Sequence, residues 1–397
     1  MTIIAAVFFV ACVIALFLPY VGYPFVLKSL GDARADTWRS NSPLADGVSI
    51  IIAAYNEAAN IRAKLDNLLA QDAPLPMQVI VASDASDDGM DDIVREYADR
   101  GVELLRMDAR GGKSLAQNAA VALARHEILV FTDASVLLDN GAIAALVREL
   151  RDPTVGCVSG EDVSISGSEH DSTQAAGFYT RYEIAVRRLE NRKLGTLIGV
   201  SGCLFAVRSF LRRDVPPEAV DDLAVPLHVV ARGFRVVATP DARAFVRRAV
   251  GVRQEFRRKV RTFTGAMFTL RNAWTREDRV GLRRAMIPIV FHKLGRWLGP
   301  ALAAGALASC AWLARTHVVW CAVLVAQLSA WVVGAFAFAR DLARDGEFRK
   351  PGGGAAAKLT KFASFFVTVQ LALVAAWWRF ARGKSFAVWS PTVRETS

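Results

Sequence analysis

The chain has 397 residues, 53% of them apolar, and a positive mean hydropathy of +0.27. A soluble enzyme of this length rarely has so apolar a composition, so part of the chain is expected to lie in lipid. The formal net charge is +11, with most of the excess beside the apolar runs. This placement favours anionic lipid headgroups and sugar phosphates as partners. Nucleic acid is not expected, because no groove-reading motif is present.

The five cysteines are Cys12, Cys157, Cys203, Cys310 and Cys321. They contain no C-x-x-C pair, and three lie in or beside hydrophobic runs. Neither a disulfide framework nor a zinc site is therefore expected.

The first apolar run, residues 3–26, is uncharged and long enough to cross a bilayer. A secretory signal is not favoured, because no basic segment precedes the run and no small-residue cleavage site closes it. Lys28, Arg34 and Arg39 follow directly, so the positive-inside rule places the next segment in the cytoplasm. Residues 1–28 are therefore predicted to form an N-terminal transmembrane helix.

Short β-branched runs alternate with amphipathic helical stretches between Gly47 and about Arg248. Residues 48–53, 78–82, 102–105 and 127–131 are predicted to be buried strands. This alternation indicates a mostly parallel sheet, in which ligands bind beyond the carboxyl ends of the strands. The functional residues are therefore expected in the loops that follow each strand.

Apolar segments return towards the C-terminus. Residues 297–313, 318–339 and 362–378 are each plausible membrane spans, whereas residues 285–294, with Arg283, Arg284 and Lys293, resemble an interfacial helix. Residues 351–354 break the chain between the last two spans. Counting spans from a cytoplasmic domain places the C-terminus outside, but Arg379, Arg382 and Lys384 favour the inside. Either the last run does not fully cross or another assignment is wrong.

Polar loops follow the first two predicted strands. Asp84 lies where a carboxylate can accept from the N3–H of a uracil, and Tyr55 can stack on a base. The alternative is that the acidic and hydroxyl residues of these loops only cap the next helices.

The segment Gly111-Gly112-Lys113-Ser114 opens a predicted helix, and a lysine at a helix N-terminus suits a diphosphate. Met107 stands where a P-loop needs glycine, so an ATPase is excluded, and no G-x-G-x-x-G follows the first strand. After the fourth strand, Asp133 can hold a divalent cation that neutralises a departing nucleotide diphosphate. The same sheet would bring Asp84, Lys113 and Asp133 to one edge.

Residues 48–242 resemble a family 2 glycosyltransferase with the nucleotide-sugar-binding α/β fold called GT-A. The matching segments are residues 49–57, 84–89, 112–114, 133–135, 202–208 and 221–222, which read SIIIAAYNE, DASDDG, GKS, DAS, GCLFAVR and DD. Each motif alone is modest, but their ordered series is specific.

The resemblance implies roles for individual residues. Tyr55, Glu57 and Asp84 would contact the nucleoside, and Lys113 would lie near the phosphates. Asp133 matches the first acid of the family's D-x-D metal motif, so Mg²⁺ or Mn²⁺ is the expected cofactor. The second acid is replaced by Ser135, a weaker ligand.

Asp222 matches the last acid of the family's E-D or D-D motif, which serves as catalytic base. Displacement at the anomeric carbon needs a carboxylate that takes the acceptor proton while the nucleotide leaves from the opposite face, so configuration inverts. Asp221 competes for this role, and helix capping would explain both acids. The spacing to the family motif favours Asp222.

Residues 254–261 resemble the Q-x-x-R-W signature of membrane polysaccharide synthases, with Arg258 in place of tryptophan. Gln254, Arg257 and Arg258 are expected to contribute to the donor site, with the two guanidinium groups offsetting the charge of the diphosphate. An amphipathic helix on the membrane surface is the alternative, and the two interpretations are compatible.

The predicted architecture is an α/β, GT-A-type domain with a mostly parallel sheet and transmembrane helices at both ends. The predicted divisions are residues 1–28, a catalytic domain at 45–250, interfacial helices at 251–296, about three transmembrane helices at 297–380 and a tail at 381–397. The sequence indicates an inverting glycosyltransferase in the cytoplasmic membrane. It is expected to transfer a sugar from a nucleotide-sugar donor, here a UDP-sugar, to a saccharide or lipid-linked acceptor. Transfer to polyprenyl phosphate and a non-catalytic scaffold remain open.

Overall fold

The computed structural model describes residues 1–33, 46–73, 75–165, 173–247, 251–275, 281–283, 285–343 and 355–386. Four features predicted from the sequence lie wholly or partly outside the described residues. They are the basic residues Arg34 and Arg39, Arg284 of the predicted interfacial helix, the break at 351–354, and residues 387–397 of the predicted tail.

An eight-stranded sheet forms the centre of the catalytic region. Its strands are β1 (Val48–Ala54), β2 (Met77–Ser83), β3 (Val102–Arg106), β4 (Ile128–Thr132), β5 (Leu137–Leu138), β6 (Val155–Ile165), β7 (Leu204–Arg208) and β8 (Arg235–Arg247). The surrounding helices are α3 (Ala58–Leu69), α4 (Met90–Arg95), α5 (Lys113–Val121), α6 (Ala142–Glu149), α7 (Thr173–Leu194) and α8 (Asp221–Ala231).

The strand order is β3-β2-β1-β4-β7-β6-β8-β5. β1 pairs in parallel with β2 and β4, and β2 pairs in parallel with β3. The carboxyl ends of these strands therefore meet at one edge, as predicted. β7 runs antiparallel to β4, so its start at Leu204 lies opposite Thr132 at this same edge. This reversal brings Gly202 and Cys203 beside the loop that contains Asp133.

Both faces of the sheet are covered, which explains the uninterrupted apolar runs of the central strands. Ile50 and Ile52 of β1 are buried with Leu65 and Leu68 of α3 on one face. Ile51 faces the opposite way and joins a second core made by α5, α8 and the C-terminal helices. The predicted α/β fold with a mostly parallel sheet is confirmed.

The helices outside the sheet domain lie at both ends of the chain. They are α1 (Thr2–Phe17), α2 (Tyr23–Ser29), α9 (Val252–Thr275), α10 (Met286–Pro288), α11 (Gly295–Trp297), α12 (Gly299–Leu313), α13 (Val318–Ala343) and α14 (Ala355–Ala381), with π-helical turns at Leu18–Gly22 and Ile289–Leu294. Three helical stretches among the described residues are long and apolar enough to cross a membrane, namely Thr2–Ser29, Val318–Ala343 and Leu359–Ala381. The helix predicted at 297–313 appears as the shorter apolar Gly299–Leu313.

The segment predicted to be an interfacial helix has one buried side and one exposed side. His292 is less than one-tenth exposed, whereas Ile287 is half exposed. The segment continues almost without interruption into α12, which lies antiparallel to α1. A Cβ atom at Gly295 would lie 2.8 Å from Pro19 Cγ at one end of this pair, and a Cβ atom at Gly305 would lie 3.1 Å from Cys12 Sγ further along.

Helix α14 packs along both α9 and α13. On the α9 side, the ammonium of Lys259 lies 4.9 Å from the ring centroid of Phe365, and the rings of Phe268 and Phe380 lie 5.0 Å apart. On the α13 side, the rings of Trp331 and Phe366 lie 5.8 Å apart. Helix α9 is itself tied to the sheet domain by a hydrogen bond from the Val220 amide to Thr269.

Candidate active site

A cavity of about 720 Å³ lies at the carboxyl edge of the sheet and is bordered by α7, α8, α9 and α14. Five of the nine residues predicted to form the site line it, namely Glu57, Lys113, Asp133, Asp222 and Arg258. The other four, Tyr55, Asp84, Gln254 and Arg257, are not among its lining residues. Ser135, in the second position of the metal motif, does line the cavity.

Lys113 joins the acidic residues of the cavity. Its ammonium lies 3.0 Å from Asp133 Oδ1 and 3.2 Å from Asp221 Oδ2. It also donates to the Gly202 carbonyl at 3.2 Å. Burial opposes the charged form, but the carboxylates of Asp133 and Asp221 outweigh it and raise the pKa of Lys113 above its ordinary value. The site therefore holds a fixed positive charge between two carboxylates.

The two adjacent acids of α8 have different surroundings. Asp221 accepts hydrogen bonds from Gln117 at 3.0 Å and from the amide of Asp222 at 3.0 Å, in addition to its ion pair with Lys113. Burial raises the pKa of Asp221, but Lys113 and Gln117 outweigh it and lower that pKa overall. Burial and the neighbouring Asp221 carboxylate raise the pKa of Asp222 to about 6. A carboxyl group with this pKa is suited to take a proton near neutral pH.

Gly202 leaves room for the Asp222 carboxylate. A Cβ atom at position 202 would lie 3.4 Å from Asp222 Oδ2. The backbone of Asp222 is fixed by its carbonyl, which accepts from the Val200 amide at 2.9 Å. The segment before β7 thus positions both Asp222 and, through the Gly202 carbonyl, Lys113.

Asp84 supports the loop that precedes Lys113. Its two carboxylate oxygens accept the backbone amides of Gly111 at 2.7 Å and Gly112 at 2.9 Å. Gly112 has a φ of 91°, which favours glycine at this helix start. Asp84 is only 1% exposed, and each of its oxygens can accept a second hydrogen bond, so its contact with a nucleoside stays a prediction.

Tyr55 and Glu57 occupy the loop after β1. The guanidinium of Arg110 lies 3.6 Å from the ring centroid of Tyr55, on the kind of face that a base would use. Glu57 lines the cavity and accepts from Asn60 at 2.6 Å. Asp88 accepts from the Ala58 amide at 2.8 Å, so at least this acid caps a helix, as the alternative interpretation proposed.

Lys64, which the sequence analysis did not select, lies directly beneath the Asp133 loop. It is fully buried, and its ammonium donates to the Thr132 hydroxyl at 2.9 Å and the Val136 carbonyl at 2.7 Å. Burial lowers the pKa of Lys64 to about 7. A lysine on the otherwise apolar face of α3 was the available signal for this contact.

On α9, Arg258 is held by Glu255 through two hydrogen bonds of 2.9 and 2.8 Å. Its neighbours Lys259 and Arg261 also line the cavity, whereas the predicted Gln254 and Arg257 do not, and Arg257 is exposed. The cationic residues of α9 that line the cavity are thus Arg258, Lys259 and Arg261, of which only Arg258 was predicted.

A second group of charged side chains lies between α7 and the π-helical turn Ile289–Leu294. The His292 ring is 2.7 Å from Glu190 and 2.8 Å from Glu183. Tyr23 donates to Glu190 at 2.7 Å, and Arg296 forms an ion pair with Glu183. The charged residues scattered through otherwise apolar segments were the only sequence signal for this network.

Comparison with known proteins places the chain in a family. The sequence profile "Glycosyl transferase family 2" matches residues 49–215. An N-acetylglucosaminyltransferase of Rhizobium leguminosarum bv. trifolii is 30% identical over 128 residues, which cover 31% of this chain and 70% of that protein. The chain belongs to glycosyl transferase family 2.

Other members of the family match shorter shares of their own length. The poly-beta-1,6-N-acetyl-D-glucosamine synthase of Staphylococcus epidermidis is 24% identical over 140 residues, which cover 35% of this chain and 34% of the synthase. An N-acetylglucosaminyltransferase of Bradyrhizobium diazoefficiens is 24% identical over 232 residues, which cover 54% of this chain and 46% of that protein. This chain thus matches between a third and a half of the length of these two relatives.

A solved structure supports the GT-A fold over nearly the whole chain. The mannosyltransferase PcManGT from Pyrobaculum calidifontis, in complex with GDP-Man and Mn²⁺, superposes with a TM-score of 0.70 and 22% identity. The match covers 96% of this family 2 chain and 100% of the other. The sheet domain and its flanking helices therefore follow an arrangement that has been observed before.

The family resemblance implies a divalent cation at Asp133. No group of three or more His, Cys, Asp or Glu side chains suited to a metal is found in the described part of this family 2 chain. Asp133 and Ser135 nevertheless place one carboxylate and one hydroxyl at the same cavity. Magnesium commonly binds one or two carboxylates together with substrate phosphates, so these residues fit a cation that arrives with a diphosphate.

Proposed function

We propose that this protein is an inverting glycosyltransferase that uses a nucleotide sugar, of the UDP type, and transfers the sugar to a hydroxyl of a saccharide or lipid-linked saccharide. One observation carries the proposal: Lys113, Asp133 and Asp222 share a single cavity with Asp221. A positive charge for the diphosphate and a carboxyl group with a raised pKa are the two groups that this chemistry needs.

In the proposed reaction, Asp222 removes the proton of the acceptor hydroxyl while the acceptor oxygen bonds to the anomeric carbon. The bond from that carbon to the diphosphate oxygen breaks on the opposite face, so configuration inverts. Lys113 lies where it can offset the charge of the leaving diphosphate. Asp133 and Ser135 would hold Mg²⁺ or Mn²⁺, which supplies further charge neutralisation when bound.

The activities of the sequence relatives favour N-acetylglucosamine as the transferred sugar, whereas the GDP-Man bound to the solved mannosyltransferase favours mannose. We propose N-acetylglucosamine, in the synthesis of a cell-surface polysaccharide or glycolipid. A screen that measures release of nucleotide from UDP-N-acetylglucosamine, other UDP-sugars and GDP-mannose decides between them.

We further propose that the protein is a multi-pass protein of the cytoplasmic membrane, surrounded by membrane lipids, with its catalytic domain on the cytoplasmic side. Lys28 at the end of the first apolar helix supports this orientation. The crossing segments would be α1 with α2, α12 with the turns before it, and α13. From Gly295 to Leu313 the chain rises about 28 Å at 1.5 Å per residue, which is close to the thickness of the hydrocarbon core.

Replacement of Asp222 by asparagine tests the assignment of the base. We expect Asp222→Asn to reduce sugar transfer by at least about a hundredfold, within the usual contribution of a general base. Calorimetry with the nucleotide and Mn²⁺ should show nearly unchanged donor binding, because the proposed donor contacts are made by other residues.

Asp221→Asn is the variant to compare with Asp222→Asn. It should weaken donor binding as well as transfer, because Asp221 fixes Lys113. Undiminished turnover in Asp222→Asn would reject Asp222 as the base, and the absence of nucleotide binding in the unmodified protein would favour a scaffold.

A further inference from the structure

The cavity extends well beyond the proposed donor site. From Lys113 and Asp133 it passes Asp222 and reaches α9, the end of α13 and the first half of α14. We call the part that is lined by α9, α13 and α14 the membrane end. A sugar nucleotide and its cation account for the residues near Asp133, but they leave the membrane end without a role.

Helix α14 has a polar face despite its apolar composition. Lys361, Ser364 and Thr368 recur at intervals of three and four residues, so they share one side of the helix, and all three line the cavity. Ser364 and Thr368 are buried, and Ser364 donates to Asp341 of α13 at 2.7 Å. Leu359 and Phe362 lie away from this face and are exposed. The polar side of α14 therefore forms one wall of the cavity.

The membrane end is rich in cationic side chains. Among the described residues, its cationic lining residues are Arg258, Lys259, Arg261 and Lys361, and its acidic lining residues are Glu255 and Asp341. Phosphate groups form charge-assisted hydrogen bonds with guanidinium and ammonium groups, which a neutral glycan does not.

The position of α14 brings this charge next to lipid. Phe365 and Phe380 of α14 contact α9, and Phe366 contacts Trp331 of α13, a helix long and apolar enough to cross a membrane. An acceptor anchored in the bilayer would therefore meet the membrane end from the side, without leaving the lipid. Its anionic group would lie at the level of lipid headgroups, where basic residues attract phosphates.

We propose that the membrane end of the cavity binds the phosphate groups of a lipid-linked saccharide, so that the hydroxyl of its sugar reaches Asp222. Lys361 of α14 and the basic residues of α9 contact the phosphates, and the polar face of α14 forms the wall along which the acceptor enters. This inference rests on the proposed function and narrows its acceptor to a phosphate-bearing amphiphile.

The test uses the full-length protein in lipid nanodiscs and three acceptor probes. They are N-acetylglucosamine linked to farnesyl diphosphate, the farnesyl glycoside of the same sugar without phosphate, and free N-acetylglucosamine. The unmodified protein should transfer sugar best to the diphosphate-linked probe. Equal transfer to the two farnesyl probes, or transfer only to free sugar or to its own growing product, would overturn the inference.

Variants at Lys361 locate the phosphate site. Lys361→Met should raise KM for the diphosphate-linked probe by about tenfold, in the range expected for one hydrogen bond to a charged group. KM for the phosphate-free glycoside should change by less than about twofold. Lys361→Arg should restore most of the loss, since it keeps the charge. A Lys361→Met variant that raises both KM values equally contradicts the phosphate contact.

Arg382→Met is the matched control. It removes one positive charge just beyond the end of α14 at an exposed residue outside the cavity, where Arg382 stacks on Trp378. This variant should leave both KM values unchanged. A loss equal to that of Lys361→Met would show a general charge effect and would also overturn the inference.

Direct binding separates failure of this inference from failure of the proposed function. Farnesyl diphosphate should bind the unmodified protein and Asp222→Asn equally, and Lys361→Met about tenfold more weakly. Binding with this pattern but no turnover of any nucleotide sugar would reject the proposed function alone. Turnover with no difference in binding between the unmodified protein and Lys361→Met would reject the acceptor site alone.

Discussion

Asp221 and Asp222 are adjacent in sequence but chemically distinct. Asp221 is held by Lys113, Gln117 and a backbone amide, whereas the Asp222 carboxylate lies beside Gly202 and lines the cavity. This difference favours Asp222 as the proton acceptor, in agreement with the choice made from motif spacing. The physical reason is that the ion pair with Lys113 keeps Asp221 ionised, and its charge then disfavours ionisation of Asp222.

The raised pKa of Asp222 gives a pH prediction. A base must be deprotonated to act, so kcat/KM for sugar transfer should rise with pH, reach half its maximum near about 6 and level off above about 7.5. Asp221→Asn removes the neighbouring negative charge and should move this rise to lower pH. Rates of transfer measured between about pH 4.5 and 8.5 test both statements. A rise centred near about 4, the ordinary range of an aspartate, would contradict the assignment.

Lys64 allows a test of the support beneath Asp133. Lys64→Met leaves the Thr132 hydroxyl and the Val136 carbonyl without their donor, which should reduce the free energy of unfolding by about 1–3 kcal/mol. Transfer should fall as well, because the turn that carries Asp133 loosens. Arg62→Met, an exposed cation on the same helix, is the control and should change unfolding much less. Equal thermal unfolding of the two variants would contradict this role.

At the scale of single residues, the sequence predicted which residues form the site better than it predicted the contacts that those residues make. Asp84, Lys113 and Asp133 were predicted to meet at one edge of the sheet. Lys113 and Asp133 line one cavity together with Asp222, whereas Asp84 is buried and is not among its lining residues. The contacts of Tyr55 with Arg110 and of Asp84 with the glycine amides depend on side-chain packing that no motif reports. The roles of all nine predicted residues stay predictions until nucleotide binding is measured.

At the scale of elements, the strands were predictable and the orientation of the helices was not. Strands β1, β2 and β4 are buried on both faces, so their apolar runs identify them directly. Hydropathy measures whether a helix prefers lipid, not whether it crosses or lies along the surface. Residues 362–378 were predicted to cross, and Leu359–Ala381 is long and apolar enough to do so. The contacts of α14 with α9 were not predictable from its hydropathy.

The packing of α14 predicts the location of the C-terminus. If α14 does not cross, α1, α12 and α13 are the three crossing segments, and the C-terminus lies on the side of the catalytic domain. This arrangement agrees with the basic residues Arg379, Arg382 and Lys384 and removes the conflict between span count and charge. A C-terminal epitope should therefore be digested by protease in inside-out vesicles and protected in right-side-out vesicles.

An epitope inserted at residues 314–317, between α12 and α13, is the matched control. It should show the opposite pattern of protection, because this turn lies at the far end of the bundle. Two epitopes with the same pattern would mean that α14 crosses the membrane or that α13 does not.

At the scale of the whole molecule, the sequence predicted a membrane anchor and an enzyme domain as separate parts. The structure shows side-chain contacts between the two. Tyr23 donates to Glu190, and Tyr182 donates to the carbonyl of Tyr20 at 2.8 Å. His292 and Arg296 complete the junction from the C-terminal segment. These side chains are far apart in the sequence, so composition and periodicity could not pair them.

This junction determines how the protein can be handled. Glu190 and His292 are buried side by side, and the Tyr23 hydroxyl is one of the groups that satisfies them. A water-soluble fragment that begins after residue 33 would leave this acid short of a donor and open its apolar surroundings to solvent. The first helix is thus an integral part of the folded enzyme, and biochemical preparations need to retain it.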